Sequence, residues 1–133
     1  MYRVVEMYGV DEPWWFFDDW KKDIVSTKEF ENFYTALKYY RNQWYKFAES
    51  FTEFKSKDDL LSAFWDVEDE IWCEECAGYQ QRYHSIALLE DWHLLPEEKK
   101  RWAYEKHSAD PQIKVCPNAL KARETKDSLD EKL

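Results

Sequence analysis

NFYTALKYYRNQWYKFAESF, residues 32–51, is the stretch with the clearest structural pattern in the chain. Its large apolar residues recur at steps of four, three, four, three and four and are Phe33, Leu37, Tyr40, Trp44, Phe47 and Phe51. That spacing places them along one stripe of an α-helix. The side-chain oxygen of Asn32 can accept a hydrogen bond from an early backbone N–H. The segment therefore predicts an amphipathic helix that begins after Asn32.

Extended segments on both sides of this helix supply an apolar surface for it. Residues 2–8 and 23–30 are rich in β-branched and aromatic residues, and the aromatic run 14–20 has four apolar residues in succession. We expect these three segments to form strands of an antiparallel meander. Residues 85–90 predict another strand, which residues 93–95 close into a hairpin.

Three more segments are expected to be helical. Residues 58–64 predict a short helix with an aspartate cap, and an exposed acidic loop follows at 66–70. Residues 72–83 could be helix or strand, but aromatic and cysteine residues at steps of four, three and four favour a helix. The sequence Pro-Glu-Glu at 96–98 is a typical helix start and predicts a helix as far as about His107.

Together these elements predict an α+β fold. Residues 1–96 would form a compact aromatic-rich acidic domain, in which a small antiparallel sheet packs against the helix at about 32–51 with shorter helices beside it. Residues 97–133 would form a C-terminal helix and a flexible tail. The tail has a mixed-charge sequence with two prolines and at most a transient helix near 119–125.

The composition is aromatic and acidic. The chain has 133 residues with Trp 8, Tyr 9 and Phe 8, a net charge of −9 and Cys 3. No Lys or Arg occurs between Asp58 and Gln81, a stretch rich in acids that would repel phosphate backbones and anionic lipid. There is no apolar run of membrane-spanning length, no secretory signal and no even set of cysteines. We therefore expect a cytoplasmic protein with reduced cysteines.

The tryptophans are the main functional signal, because a core of this size does not need so many rings. The candidate partner-binding residues are Trp14, Trp15, Trp20, Trp65 and Trp72. The same residues could instead be core. Their excess, together with the segregated negative charge, favours a non-enzymatic, regulatory protein-interaction module. Its partner would be a protein, a basic one or a second copy of the chain.

Cys73 and Cys76 form a CxxC pair, which is the spacing of half a zinc site or of a redox dithiol. Further candidate ligands, none of which forms a second such pair, are His84, His93, His107 and Cys116. The flanking Glu74 and Glu75 disfavour a thiolate by charge repulsion. Structural cysteines, a small metal-binding domain and a redox pair all stay open, and zinc would be the one cofactor.

No catalytic constellation stands out, so we do not expect an enzyme. The acids at 66–70 lack the glycine of a calcium loop. His84 lies beside Ser85, but no nucleophile elbow surrounds Gly9 or Gly78. A nucleic-acid-associated protein is an alternative, in which the aromatics stack on bases and residues 99–101 supply a basic patch.

Several short segments also carry a family resemblance. They are MYG (7–9), EPWWFFDDW (12–20), AFW (63–65), WCEEC (72–76) and QRYH (81–84). In these the chain resembles DUF1033, a family of bacterial proteins of unknown function, over about residues 1–95. The resemblance implies an origin in low-GC Gram-positive bacteria. No activity is established for the family, so it supplies no catalytic residues.

Overall fold

A computed structural model describes residues 1–16 and 18–108. Within these residues six strands form an antiparallel sheet, and they are β1 (Tyr2–Gly9), β2 (Ile24–Phe30), β3 (Glu53–Ser56), β4 (Leu61–Trp65), β7 (Tyr83–Glu90) and β8 (Lys106–His107). Their order across the sheet is β2-β1-β7-β4-β3-β8. Two strands, β5 (Glu70–Cys73) and β6 (Gly78–Gln81), form a separate hairpin, and α1 (Phe33–Ser50) connects β2 to β3. The α+β class is confirmed, with more sheet than helix.

The helix predicted over 32–51 is confirmed. The Asn32 side chain accepts hydrogen bonds from the backbone N–H groups of Tyr34 at 2.8 Å and Thr35 at 3.1 Å, as an N-cap does. Its 18 residues span about 27 Å. Because three strands separate β2 from β3 in the sheet, the connection must cross about 19 Å. The helix therefore lies across one side of the sheet, here called the helix face.

The centre of the helix face is a buried polar network. Ser62 Oγ shares hydrogen bonds with Tyr40 Oη at 2.5 Å and with Ser56 Oγ at 2.8 Å, and it accepts from Trp44 Nε1 at 3.1 Å. Burial raises the pKa of the Tyr40 phenol well above its ordinary value, so the hydroxyl stays neutral. The network satisfies the polar tips of two large rings that would be costly to bury unpaired.

The opposite side of the sheet, here called the second face, is buried as well. Its buried residues are Val5, Met7, Leu61, Ala87 and Leu89. Trp14, Trp20 and Trp92 pack against them from loops. The strand predicted over 14–20 is therefore wrong, since the described part of this run forms turns that end in a 3-10 turn at Trp20–Asp23. Trp14 and Trp20 of this run pack on the second face, whereas a strand would have extended the edge of the sheet.

Glycine is required at position 9, where β1 meets this covering segment. A Cβ atom there would lie 2.5 Å from Asp23 Oδ2 and 2.6 Å from Asp23 Cγ. The glycine allows Asp23 to approach β1 at the point where the chain returns to begin β2. That return sets β2 beside β1, with Val5 opposite Thr27.

The helix predicted over 58–64 is wrong, because this region contains β4. Ser62 and Phe64 face the helix, while Leu61 and Ala63 face the other way. Because both sides of this strand are buried, its sequence does not alternate between apolar and exposed polar residues as a half-buried strand does. Leu60, with φ of 65°, occupies a left-handed position in the turn before β4, and its side chain is fully buried.

The helix predicted over 96–107 is also wrong. The chain makes 3-10 turns at Glu97–Lys99 and Trp102–Tyr104 before β8 pairs with β3. The Tyr104 ring is buried 5.6 Å from Tyr40 and 5.8 Å from Trp44, measured between ring centroids. The domain boundary at residue 96 stays a prediction, although the described residues beyond it contact the core. The tail predicted after residue 108 lies outside the described residues.

Replacing Ser62 by alanine should destabilise the fold more than removing the hydroxyl of its partner does. S62A removes the hydrogen-bond partner of Tyr40 Oη and leaves Trp44 Nε1 with only its longer bond to Ser56 Oγ at 3.3 Å, which should cost about 1–3 kcal/mol. Y40F removes a single group and leaves Ser62 bonded to Ser56 and Trp44, so its cost should be nearer 1 kcal/mol. Urea unfolding followed by circular dichroism measures both. A Y40F loss larger than the S62A loss would contradict this account of the network.

Candidate functional site

The separate hairpin, residues 66–82, is here called the arm. Its strands pair with Trp72 opposite Tyr79 and Cys73 opposite Gly78, around a turn that contains Ala77 at a φ of 53°. The helix favoured for 72–83 is therefore wrong. Residues seven apart lie two turns apart on a helix, but the same separation places them across a hairpin, where the rings of Trp72 and Tyr79 meet at 5.2 Å.

Apolar side chains project from both faces of the arm into solvent. Trp72 and Tyr79 share one face and are 49% and 68% exposed, while Ile71 lies on the other face and is 45% exposed. Trp72 Nε1 donates a hydrogen bond to Glu74 Oε2 at 3.2 Å, which orients the indole ring. These side chains contribute to neither face of the main sheet.

The arm is strongly acidic. Glu70 stands next to Ile71 on β5, and Glu74 and Glu75 occupy the turn; all three side chains are exposed. No lysine or arginine lies between residues 58 and 81 to neutralise them. The exposed rings therefore sit in a field of negative potential, which attracts cations and repels phosphates.

Asp69 anchors the base of the arm to the main sheet. Its carboxylate accepts hydrogen bonds from Tyr8 Oη at 2.9 Å and from Arg82 Nε at 2.8 Å. Desolvation alone would raise the pKa of Asp69, but the bonds from Arg82 and Tyr8 lower it below its ordinary value. The Gln81 side-chain amide also donates to the backbone oxygens of Asp66 and Asp69.

His84 completes this anchor. Its ring is stacked 4.3 Å from Tyr8 and lies 4.4 Å from Phe51, and its Nε2 is 3.9 Å from Asp69 Oδ2. Desolvation lowers the pKa of His84, against the opposing effect of Asp69. Since Asp69 already accepts from Arg82 and Tyr8, the cluster holds the arm in place, and its groups are committed to one another.

The five tryptophans predicted to bind a partner have different environments. Trp14 and Trp20 cover the second face, and Trp65 packs edge-on against Tyr83 at 5.2 Å. Trp15 is 53% exposed and donates from Nε1 to Glu12 at 3.2 Å. Trp72 lies on the arm. Sequence reasoning missed Ile71 and Tyr79; a hairpin would have placed Tyr79 across from Trp72 and Ile71 on the opposite face.

Cys73 and Cys76 are joined by a disulfide at the tip of the arm, contrary to the expectation of reduced cysteines. The backbone N–H of Cys76 donates to Cys73 Sγ at 3.2 Å. Among residues 1–16 and 18–108, no group of three or more His, Cys, Asp or Glu side chains could hold a metal ion. Cys116, a predicted ligand, lies outside these residues, and zinc at the pair stays a prediction.

Fold and site define a small α+β domain that carries a separate acidic hairpin. The sequence profile of the family described as protein of unknown function (DUF1033) matches residues 1–118. The chain belongs to this family, which confirms the resemblance and extends it past residue 95. Comparisons with curated proteins and with solved structures gave no match. In the described part of the chain, no helix has the length and apolar character to cross a membrane.

Tryptophans of the second face and of the arm should differ in their effect on stability. W14A uncovers Leu61 and its neighbours and should lower the free energy of unfolding by about 2–4 kcal/mol. W72A removes an exposed ring and should cost less than about 1 kcal/mol. Urea unfolding of the two variants measures the difference. Equal losses would mean that the arm is part of the folded core.

Stability should fall as pH drops below about 6.5, the ordinary pKa of histidine. The pKa of His84 is lower in the folded chain than in the unfolded chain, so as the pH falls the unfolded chain binds the proton first. The free energy of unfolding therefore decreases with falling pH until folded His84 is protonated as well. The slope for one proton is at most about 1.4 kcal/mol per pH unit. Urea unfolding between pH 5 and pH 7.5 measures this slope.

The variant H84Q isolates this effect, because it removes the imidazole and keeps every other titrating residue of the chain; only Asp69, whose pKa is already lowered, loses a neighbouring charge. Desolvation raises the pKa values of folded Asp23 and Asp59, so their protonation increases the free energy of unfolding as the pH falls. Both aspartates are present in both proteins, so their contribution cancels when the two slopes are compared. H84Q should therefore flatten the slope of unfolding free energy against pH. A slope unchanged in H84Q would contradict the assignment.

Proposed function

We propose that this chain is a protein-interaction module whose arm pairs with an extended segment of a basic partner protein. The observation that carries the proposal is the state of β5 and β6. They pair only with each other among the described residues, so no strand lies at the outer edge of either, where the Glu70 N–H alone bonds locally, to Glu68 O at 2.9 Å. A lone two-stranded hairpin is marginally stable in water, and a third strand would complete its backbone hydrogen bonds.

The side chains along β5 indicate the chemistry of the segment that would bind. Glu70 and Trp72 share one face of the strand, and Ile71 occupies the other. A strand added at this edge presents alternate side chains to the two faces. Lysine or arginine beside Glu70 and Trp72 would gain ion pairing and cation–π contact. An aliphatic residue would cover Ile71. The partner segment should therefore alternate basic and aliphatic residues.

Charge favours this partner over a second copy of the chain or a nucleic acid. Two acidic arms would repel each other, and phosphates would be repelled by Glu70, Glu74 and Glu75. In the basic patch suggested for nucleic acid, Lys99 is paired with Glu90 at 3.0 Å and Lys100 with Glu97 at 3.2 Å. The proposed role requires no catalysis and suits a cytoplasmic regulatory protein.

Titration of the full chain with a synthetic octapeptide of alternating arginine and leucine tests the proposal. Isothermal calorimetry should show binding that weakens as salt rises, because ion pairs contribute to it. W72A should weaken binding at least tenfold, as expected for a buried aromatic anchor. Replacing Glu70, Glu74 and Glu75 together by glutamine should weaken it as well. An octapeptide of alternating glutamate and leucine should not bind.

Trp102 provides the matched control. It is 84% exposed, which is more than Trp72, but it follows Arg101 and lies outside the arm. W102A should therefore bind the basic peptide as the unaltered chain does. The proposal is overturned if W72A, checked for folding by circular dichroism, binds normally. It is also overturned if the acidic peptide binds equally well, or if the basic peptide shows no binding at millimolar concentration in low salt.

A further inference from the structure

We propose that Cys73 and Cys76 form a redox-active site that exchanges electrons with low-molecular-weight thiols and disulfides, preferentially cationic ones. Cys73 ends β5 and Cys76 lies in the following turn, with their Cα atoms 5.3 Å apart. That separation is within the range in which a disulfide forms without backbone movement. The pair can therefore close and open while the arm keeps its shape. This inference does not rest on the proposed docking function.

The surroundings of the two sulfurs assign them different roles. Cys76 is exposed and Cys73 is half-buried, so an incoming thiolate reaches Cys76 Sγ first. The hydrogen bond from the Cys76 backbone N–H to Cys73 Sγ, at 3.2 Å, favours negative charge on Cys73. Cys73 is thus the better leaving group when the disulfide is attacked at Cys76.

The exchange balances with a thiol, RSH, as the reductant. The thiolate RS⁻ attacks Cys76 Sγ, the bond between the two cysteines breaks, and Cys73 leaves as a thiolate. A second RS⁻ attacks the R sulfur of the mixed disulfide, which forms RSSR and releases Cys76 as a thiolate. The protein thiolates take up the two protons that the RSH molecules lost. Two thiols are oxidised and one protein disulfide is reduced, and the reverse sequence oxidises the pair.

A purely structural role accounts for the position of the disulfide less well than a redox role does. A bridge that encloses only residues 74 and 75 removes little chain entropy, because the stabilisation grows with the length of the loop. The strands it joins are already held by backbone pairing and by the contact of Trp72 with Tyr79. The bridge does, however, place an accessible sulfur at the exposed tip of the arm.

Glu74 and Glu75, both exposed between the two cysteines, set the preference among substrates. Their charges repel anionic thiolates and disulfides and attract cationic ones, so the charge of the reagent should control the rate. Cystamine, a dication, and 3,3′-dithiodipropionate, a dianion, are disulfides that test this directly. Their different intrinsic reactivities cancel when each rate is divided by the rate of the same reagent with a chain in which Glu74 and Glu75 are glutamine.

Two measurements on the folded full chain test the proposal. First, the protein is equilibrated in buffers with different ratios of cysteamine to cystamine, alkylated with iodoacetamide and weighed by mass spectrometry. With excess cysteamine both Cys73 and Cys76 should be reduced and alkylated, and with excess cystamine both should be oxidised and unalkylated. The two cysteines should change together, and the change should be reversible. The variant C116S should behave in the same way, because Cys116 is not part of the pair. C73S and C76S should each retain a mixed disulfide with cysteamine.

Second, the rates of oxidation of the reduced protein by the two disulfides are compared. Cystamine should lose at least fivefold in rate in E74Q/E75Q, and dithiodipropionate should gain. The proposal is overturned if the pair stays oxidised in excess cysteamine or stays reduced in excess cystamine. It is equally overturned if stoichiometric zinc protects both thiols, or if the glutamine variant leaves both rates unchanged.

Discussion

The main sheet of this protein is apolar on both faces, and α1 can cover only one of them. Neighbouring residues of one strand, such as Leu88 and Leu89, are both fully buried on opposite sides. Leaving the second face in water would expose several aliphatic side chains on adjacent strands. The chain meets this requirement with its own aromatic loops, in which Trp14 and Trp20 lie over the sheet. Much of the aromatic content is thereby explained by packing.

Packing against the main sheet does not account for the exposed aromatic residues of the arm. Its exposed rings help neither face, and it is held to the sheet at its base, where Asp69 joins Tyr8 to Arg82. Because that polar anchor fixes the arm, its outer part is not constrained by a core. Side chains there are available for the recognition we propose for Trp72 and the thiol chemistry we propose for Cys73 and Cys76. Acidic residues on such an apolar hairpin disfavour association between hairpin edges and repel anionic molecules.

Predictions from sequence succeeded where one segment carried its own pattern. The α1 stripe, the Asn32 cap and strands β1, β2 and β7 follow from periodicity and side-chain type, and the structure confirms them. Predictions failed where spacing was ambiguous. Steps of three and four within 58–64 and 72–83 fit a helix, yet the first segment enters a doubly buried strand and the second folds as a hairpin. The candidate residues Trp72, Cys73 and Cys76 were identified, but their arrangement on one hairpin was not.

The sequence by itself determined the main helix and its start, because these depend on interactions between residues close along the chain. The antiparallel α+β class followed from the side-chain types of successive segments, and the excess of rings and acids is a matter of composition. Only the tertiary structure decided which tryptophans cover the second face and which remain exposed. It alone placed Tyr104 against Trp44, and it alone joined Tyr8 to Asp69, a contact across 61 positions of sequence. Such contacts depend on the packing of the whole sheet, which no local pattern of residues specifies.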